Sequence, residues 1–426
     1  MTRSKYPLIS VVIPVWNPGP GILRCIESLR NQTLSDIEMI FIDDCGTDDS
    51  MEKVRVAASE DPRIRMIENE ENIGAGLSRN KGIRAAYGEF LSFVDPDDYL
   101  APDFLSLLYS EGSKGAFDII KGSLVRVREN GTILVDDRKQ NQVISDNLSA
   151  GKPLYNSFMY AHQSAIYRRD YIITRKAFYS TSARAQDTTF LLKACSQTEA
   201  FSLVDEACYY FCERSDSAMQ NTDEIKLQGF LQSCRDQIQY ITTALPDNHD
   251  TRTYIKNTFH LGIREYARYE YLKGMEESAG RYIEALREEL MDLPFCEELI
   301  KESFSLRALL YYGVGLPIIP YYSPWEGSNP PIRYAQLVNR WVDLYMEHPE
   351  ERRYIFKSLV RIYTKARLAV LGKPATTYSL RERDEGKKLL RKHMGRLSLH
   401  MRAQVITVSA LIRSAKAVRH CVLKRR

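Results

Sequence analysis

The chain has 426 residues, 44% of them hydrophobic and 27% charged, with a formal net charge of +4. This is the composition of an ordinary soluble globular protein, long enough for two domains that each bury a proper core. The longest apolar run, residues 308–322, is too short to cross a membrane and is broken by Gly313, Gly315, Pro317 and Pro320, so no membrane-spanning helix is expected and the run reads as a buried loop or a surface that rests on lipid. The eight cysteines form no Cys-x-x-Cys pair and follow no signal peptide, which reads as reduced thiols in a cytoplasmic protein.

In chain order, Leu8 to Ile13 is a short β-branched run that ends at Pro14. Ile22, Ile26 and Leu29 then follow helical spacing. A second strand, Glu38 to Ile42, ends at Asp43-Asp44 and precedes a helix marked by Met51, Val54 and Ala58. A third, Arg63 to Ile67, leads to a helix through Leu77, Ile83 and Ala86. A fourth, Glu89 to Val94, stops at Asp95-Pro96-Asp97-Asp98, and the next helix starts near Pro102-Asp103. Strands alternating with helices at this spacing predict βαβ units around a parallel sheet. The polar strand ends (14–17, 43–44 and 95–98) then converge on one edge, where ligands bind in open α/β sheets.

Three carboxylates within four residues repel one another. Either they hold a hard cation such as Mg2+ shared with substrate phosphates, or they form an acidic solvated turn before the helix. The neighbouring stretches resemble those of a known family. Ser10-Val11-Val12-Ile13-Pro14-Val15-Trp16-Asn17, Ser28 to Thr33, Ile42 to Ser50, Asn72 to Gly82 and Phe93 to Asp98 are similar to the ordered motifs of family 2 inverting glycosyltransferases. The resemblance covers residues 6–220. It implies a GT-A fold, a Rossmann-like mixed sheet flanked by helices.

It also implies roles. Pro14, Val15, Asn17 and Asp44 would line a nucleobase pocket. Gly74 and Arg79 would close over the ribose and diphosphate of a nucleotide-sugar donor, UDP donors being the commonest in the family. Asp97, with Asp95, would bind Mg2+ or Mn2+, Asp95 also holding the sugar or ribose. Asp187, in Gln186-Asp187-Thr188-Thr189-Phe190, matches the family's general base, although Gln186 stands where Glu is usual; a plain helix cap is the other reading. Arg214 would touch a donor phosphate or pin its loop. His162 and Gln163 enter as acceptor-side candidates. The implied acceptor is a glycan or lipid-linked hydroxyl.

A catalytically inactive protein of the same fold is the alternative, and the joint presence of Asp44, Asp95, Asp97 and Asp187 argues against it. A dinucleotide-binding oxidoreductase is disfavoured, because no Gly-x-Gly-x-x-Gly follows the first strand. Gln336 to Trp341 has one residue too many for the processive members' Gln-x-x-Arg-Trp.

Beyond the expected catalytic domain, 1–220, residues 221–350 read as a helical domain, with helices beginning near Ile225, Thr253 and Glu276. Residues 351–426 carry 21 Lys and Arg against four Asp and Glu, a net +17, so residues 1–350 carry −13. Within residues 386–426, Met401, Val405, Val408 and Ile412 follow helical spacing in a stretch without an acid. Such a helix reads as an element for an anionic membrane surface, making the enzyme peripheral, or as one that packs on the acidic catalytic half, in cis or in a homodimer. Without aromatic interleaving or a known motif, nucleic acid ranks last.

Overall fold

The computed structural model describes residues 6–128, 131–136, 162–182, 185–198, 200–213, 224–248, 250–259, 276–293 and 295–302, with short pieces between 338 and 406. The chain divides into two compact units, Met1–Thr258 and Phe259–Arg426.

In the first unit β1 (Ile9–Val15), β2 (Ile37–Asp43), β3 (Ile64–Glu68) and β4 (Phe90–Phe93) alternate with α1 (Gly21–Arg30), α2 (Ser50–Glu60) and α3 (Ala75–Ala85). All seven residues of β1 are buried, as a parallel strand covered on both faces requires. β1 pairs in parallel with β2 on one side and β4 on the other. β2 pairs in parallel with β3. The order β3-β2-β1-β4 therefore reverses direction at β1, and that reversal opens a crevice between the ends of β1 and β4. Ile9, Val11, Ile13 and Val15 join one core with α1 and α2 residues such as Ile22, Cys25, Val54 and Ala57. Val12 faces the other way, toward α3. A Cβ on Gly82 of α3 would lie 2.3 Å from Val12 Cγ1, so only glycine lets this helix ride so close to the sheet.

Past β4 the sheet is no longer all parallel. β5 (Tyr99–Leu100) and α4 (Phe104–Gly112) lead into β6 (Ile119–Arg128) and β7 (Ile133–Asp136). β8 (Ala165–Arg168) lies antiparallel to both β4 and β6, and β9 (Phe201–Glu213) runs parallel to β6 and antiparallel to β5. Among the described residues this makes one nine-stranded mixed sheet. The first four strands match the βαβ reading, and the mixed half answers the expected sheet class. Two helices follow β8: α5 (Arg169–Thr174) and α6 (Gln186–Cys195).

The first unit extends past the boundary expected at residue 220. Helix α7 (Glu224–Ala244) buries Leu231, Cys234, Ile238 and Ile241 and bonds to α6 through Ser233 and Gln237. These buried contacts, made after the sheet is complete, fasten it to the sheet-bearing unit.

The second unit contains α8 (Glu276–Met291), where helix was expected, and α9 (Cys296–Glu302). In the described part of the basic segment, Leu390, Met394, Leu397 and Val405 are buried, and Arg396 bonds Asn339 and Asp343. The end of the tail, the second half of the helix expected from Thr253 and the apolar run 308–322 lie outside the described residues. No described helix is long and apolar enough to cross a membrane.

Candidate active site

The loops after β1 and β2 are laced together by short polar side chains. Asn17 adopts a left-handed backbone (φ 49°), which asparagine tolerates. Its Oδ1 accepts from the backbone N–H of Thr47 (2.6 Å) and Asp48 (3.2 Å). Asp43 Oδ1 accepts from Cys45 N and Gly46 N, forming a turn mimic. Asp44, 2% exposed, turns the opposite way. Its Oδ1 accepts from Asn69 Nδ2 and Ile73 N, both at 2.9 Å, tying the end of β2 to the segment that opens α3. Gly74 has φ 84° and holds the cap position of that helix, whose first turn carries the positive end of its dipole.

From α3, Arg79 reaches the acidic loop. Its Nη2 lies 2.5 Å from Asp95 Oδ1 and its guanidinium covers the Tyr179 ring at 5.3 Å. Gln163 Nε2 donates to the other oxygen, Asp95 Oδ2, at 2.9 Å. Burial pushes the Asp95 carboxyl up, but Arg79 and the hydrogen bonds outweigh it and hold it below the usual range. Asp98 is engaged elsewhere: Tyr209 Oη donates to its Oδ2 (2.7 Å) and Cys212 N to its Oδ1 (2.8 Å), fastening the loop to β9. Burial, with Asp97 and Asp95 nearby, pushes Asp98 well above the ordinary carboxylate value. Asp97 is partly exposed, and its backbone is fixed by Arg24 Nη2 donating to its carbonyl (3.0 Å). A Cβ on Gly21 would meet Asp97 Cα at 2.9 Å, so α1 supports the loop from beneath.

Asp187 stands in the first turn of α6, two residues after a cap position that Ala185 holds in left-handed backbone (φ 52°). It is therefore not the cap. Burial raises its proton affinity, and Arg79 is the main opposing influence. Arg79 in turn is held charged by both Asp95, which it bonds, and Asp187, so its charge bears on the acidic loop and on α6 together. Beneath them Phe93, Tyr179 and Phe190 pack ring to ring, the last two stacked at 4.4 Å.

Residues 10–175 match the family model of glycosyl transferase family 2. This domain belongs to that family. An uncharacterized glycosyltransferase of Bacillus subtilis, EpsJ, is 32% identical over 222 residues, 50% of this chain and 62% of that protein. A poly(ribitol-phosphate) beta-glucosyltransferase of Bacillus spizizenii is 27% identical over 55% of this chain and 37% of its own length. The chain thus spans less than two thirds of these curated relatives. The solved structure of residues 1–349 of S. aureus TarS with UDP-GlcNAc shares the fold, with a TM-score of 0.57 at 21% identity, over 72% of this chain and 86% of that one. The mixed sheet of the glycosyltransferase domain is accordingly GT-A-like.

Within the glycosyltransferase domain, Pro14, Val15 and Asn17 stand at the end of β1 beside the end of β2, Asp44 ties that end to the segment before Gly74, and Arg79, Asp95 and Gln163 form one bonded group. Arg214 lies outside the described residues. His162, read as an acceptor-side residue, is 2% exposed and packed against Phe93, Tyr179 and Phe190. An acceptor reaches it only if that packing opens. Burial, then Arg79, lowers its pKa to about 3, so it is neutral, and neither ring nitrogen has a hydrogen-bond partner. Arg24, Tyr209 and Cys212 support the acidic loop, a role that sequence reasoning did not assign to them. Tyr209 and Cys212 could have been found from the likeness of residues 209–218 to the family's closing strand.

The geometry admits a divalent cation on limited terms. Among the described residues no three His, Cys, Asp or Glu side chains group to hold a metal alone. Asp98 is committed to β9 and Asp95 to Arg79 and Gln163. Asp97, partly exposed on a fixed backbone, suits a cation shared with phosphate oxygens, the arrangement Mg2+ commonly accepts.

Proposed function

We propose that this chain transfers a sugar from a nucleoside-diphosphate sugar to a hydroxyl of a growing surface polysaccharide or lipid-linked glycan, with inversion at the anomeric carbon. The observation that carries the reading is Arg79, which bonds Asp95 just past the end of β4 and is also the main influence opposing the raised proton affinity of Asp187. In this reading the base rests at the β1 and β2 ends, between Asp44 and Trp16, whose indole is 56% exposed. UDP, bound by the TarS structure, is the nucleotide to test first. The diphosphate faces the first turn of α3, and Asp95 holds a sugar or ribose hydroxyl.

Asp187 accepts the proton of the acceptor hydroxyl as its oxygen bonds to the anomeric carbon and the bond from that carbon to the phosphate oxygen breaks. Its raised proton affinity suits a base that must take a proton near neutral pH. When bound, Mg2+ or Mn2+ on Asp97, with support from Asp95, would neutralise charge on the departing diphosphate. Arg79 and the α3 amides supply fixed positive potential on the same side.

Asp187→Asn tests the reading. Nucleotide-sugar turnover is expected to fall by about 10²- to 10⁴-fold while UDP binding is kept. Full turnover in that variant would remove Asp187 from the base role.

A further inference from the structure

The left-handed turn that presents Asp187 is held from behind. Ala185 is neither Gly nor Asn, and an L-residue with a side chain costs about 1 kcal/mol in that conformation, so the turn persists only if its surroundings impose it. Its carbonyl receives Thr188 Oγ1 at 2.6 Å, from within the same turn. It also receives Ser233 Oγ at 3.0 Å, from helix α7, 48 residues away. Ser233 is in turn within 3.1 Å of Thr189 Oγ1.

Gln237, one turn further along α7 and fully buried, spans the group. Its Nε2 donates to both Thr188 Oγ1 (3.3 Å) and Ser233 Oγ (3.1 Å), and its Oε1 accepts from Thr258 Oγ1 (3.2 Å). Thr188, Thr189, Ser233 and Thr258 are all at most 5% exposed. A buried polar chain of this kind fixes geometry, because any other arrangement leaves a buried donor or acceptor unmade, at about 1–3 kcal/mol each. On the opposite side, a Cβ on Gly76 of α3 would meet Gln186 Oε1 at 3.0 Å, so the first turn of α6 is also held against the donor-side helix.

We infer that Ser233 and Gln237, on the helix that follows the sheet, are positioning residues for Asp187. They set the turn at Ala185 and the tilt of the first turn of α6, and thereby where the carboxylate meets the acceptor hydroxyl. They touch neither donor nor acceptor. The inference rests on Asp187 being the base.

The test compares Gln237→Met, Ser233→Ala and Asp187→Asn in the full chain. UDP release is measured from whichever UDP-sugar of a panel the unaltered protein turns over, alongside UDP affinity and near-UV circular dichroism. For Gln237→Met and Ser233→Ala the expected result is a kcat lowered by about 10- to 100-fold, the effect of a small misplacement of a reacting group. The donor KM and UDP affinity should stay within twofold. The acid limb of the kcat profile should also move to lower pH, as water entering at α6 relieves the burial that raises Asp187. Unchanged kcat and pH profile in a folded Gln237→Met would overturn the inference. So would a loss of UDP affinity in step with kcat, which marks general damage. Should Gln237→Met fail to fold, Ser233→Ala, a smaller change, decides on the same criteria. An active Asp187→Asn overturns the base assignment and this inference together, whereas an inactive Asp187→Asn beside a fully active Gln237→Met overturns the positioning role alone.

Discussion

His162→Leu should flatten the acid side of the stability profile of the sheet-bearing unit. The imidazole is 2% exposed, ringed by Phe93, Tyr179 and Phe190, and its folded pKa is about 3 against an ordinary 6.5. The folded value is depressed, so below pH 6.5 the unfolded chain binds a proton that the folded one refuses. Stability is therefore present above 6.5 and is lost as pH falls, by about 1.4 kcal/mol per unit until pH nears 3. Between pH 7 and pH 5 this single group accounts for about 2 kcal/mol of lost stability. Leucine carries no titration, so the variant should lose about 2 kcal/mol less than the parent over the same interval, whatever constant offset the change in packing brings. Native-state hydrogen exchange at the amides of β1 and β4 reads the free energy of this unit apart from the other. Equal pH dependence in the two proteins would refute the argument, and would mean that the imidazole meets solvent or a partner in the folded chain.

Three other expectations follow from the same geometry. Arg79→Met should cost about 3 kcal/mol by leaving Asp95 buried without its counter-charge, and Arg79→Met with Asp95→Asn should cost less than the sum of the two; additive denaturation free energies would show that the pair is not coupled. Gly82→Ala should cost about 1–3 kcal/mol by thrusting a methyl group against Val12, as a lowered melting temperature would report; an unchanged one would mean that α3 can move off the sheet. Asp97→Ala should abolish the Mn2+-dependent part of UDP affinity in calorimetry while leaving the metal-free part in place, and a variant that still responds to Mn2+ would move the cation elsewhere.

The parallel half of the fold was legible because its strands are short β-branched runs closed by polar residues, each followed by a helix with apolar residues on one face. β1, β2, β3 and β4 fall within two residues of where those runs lie. The mixed half was harder to read. β6 and β9 pair across about eighty residues with a register shift between Lys121 and Ser123, and nothing local to either strand announces the other. In the site, Asp95, Arg79 and Asp187 were reached through a spacing of motifs. Adjacency in sequence cannot show that Asp98, one carboxylate of three, turns under the loop to meet Tyr209. The surroundings of His162 were hidden for a related reason: its neighbours in space, Phe93, Tyr179 and Phe190, lie far from it in the chain. The turn at Ala185 has no sequence signal, because its conformation is imposed by α7.

The ties between the acidic loop and β9 bear on when the site comes into being. Asp95 N donates to Tyr209 Oη, and Asp98 accepts from Cys212 N, partners 114 residues downstream in each case. Asn80 holds the backbone of Tyr179 across 99 residues by a matched pair of hydrogen bonds. Contacts of such separation form late, after the loop entropy has been met. A nascent chain that has just emitted Asp98 already carries its strand-end residues, its helix cap and its acidic loop, yet it lacks the strand that holds the loop in shape. At the usual pace of synthesis that wait lasts roughly 5 to 25 seconds. The first hundred residues carry the acidic loop, and the strand that holds it in shape is complete only past residue 212.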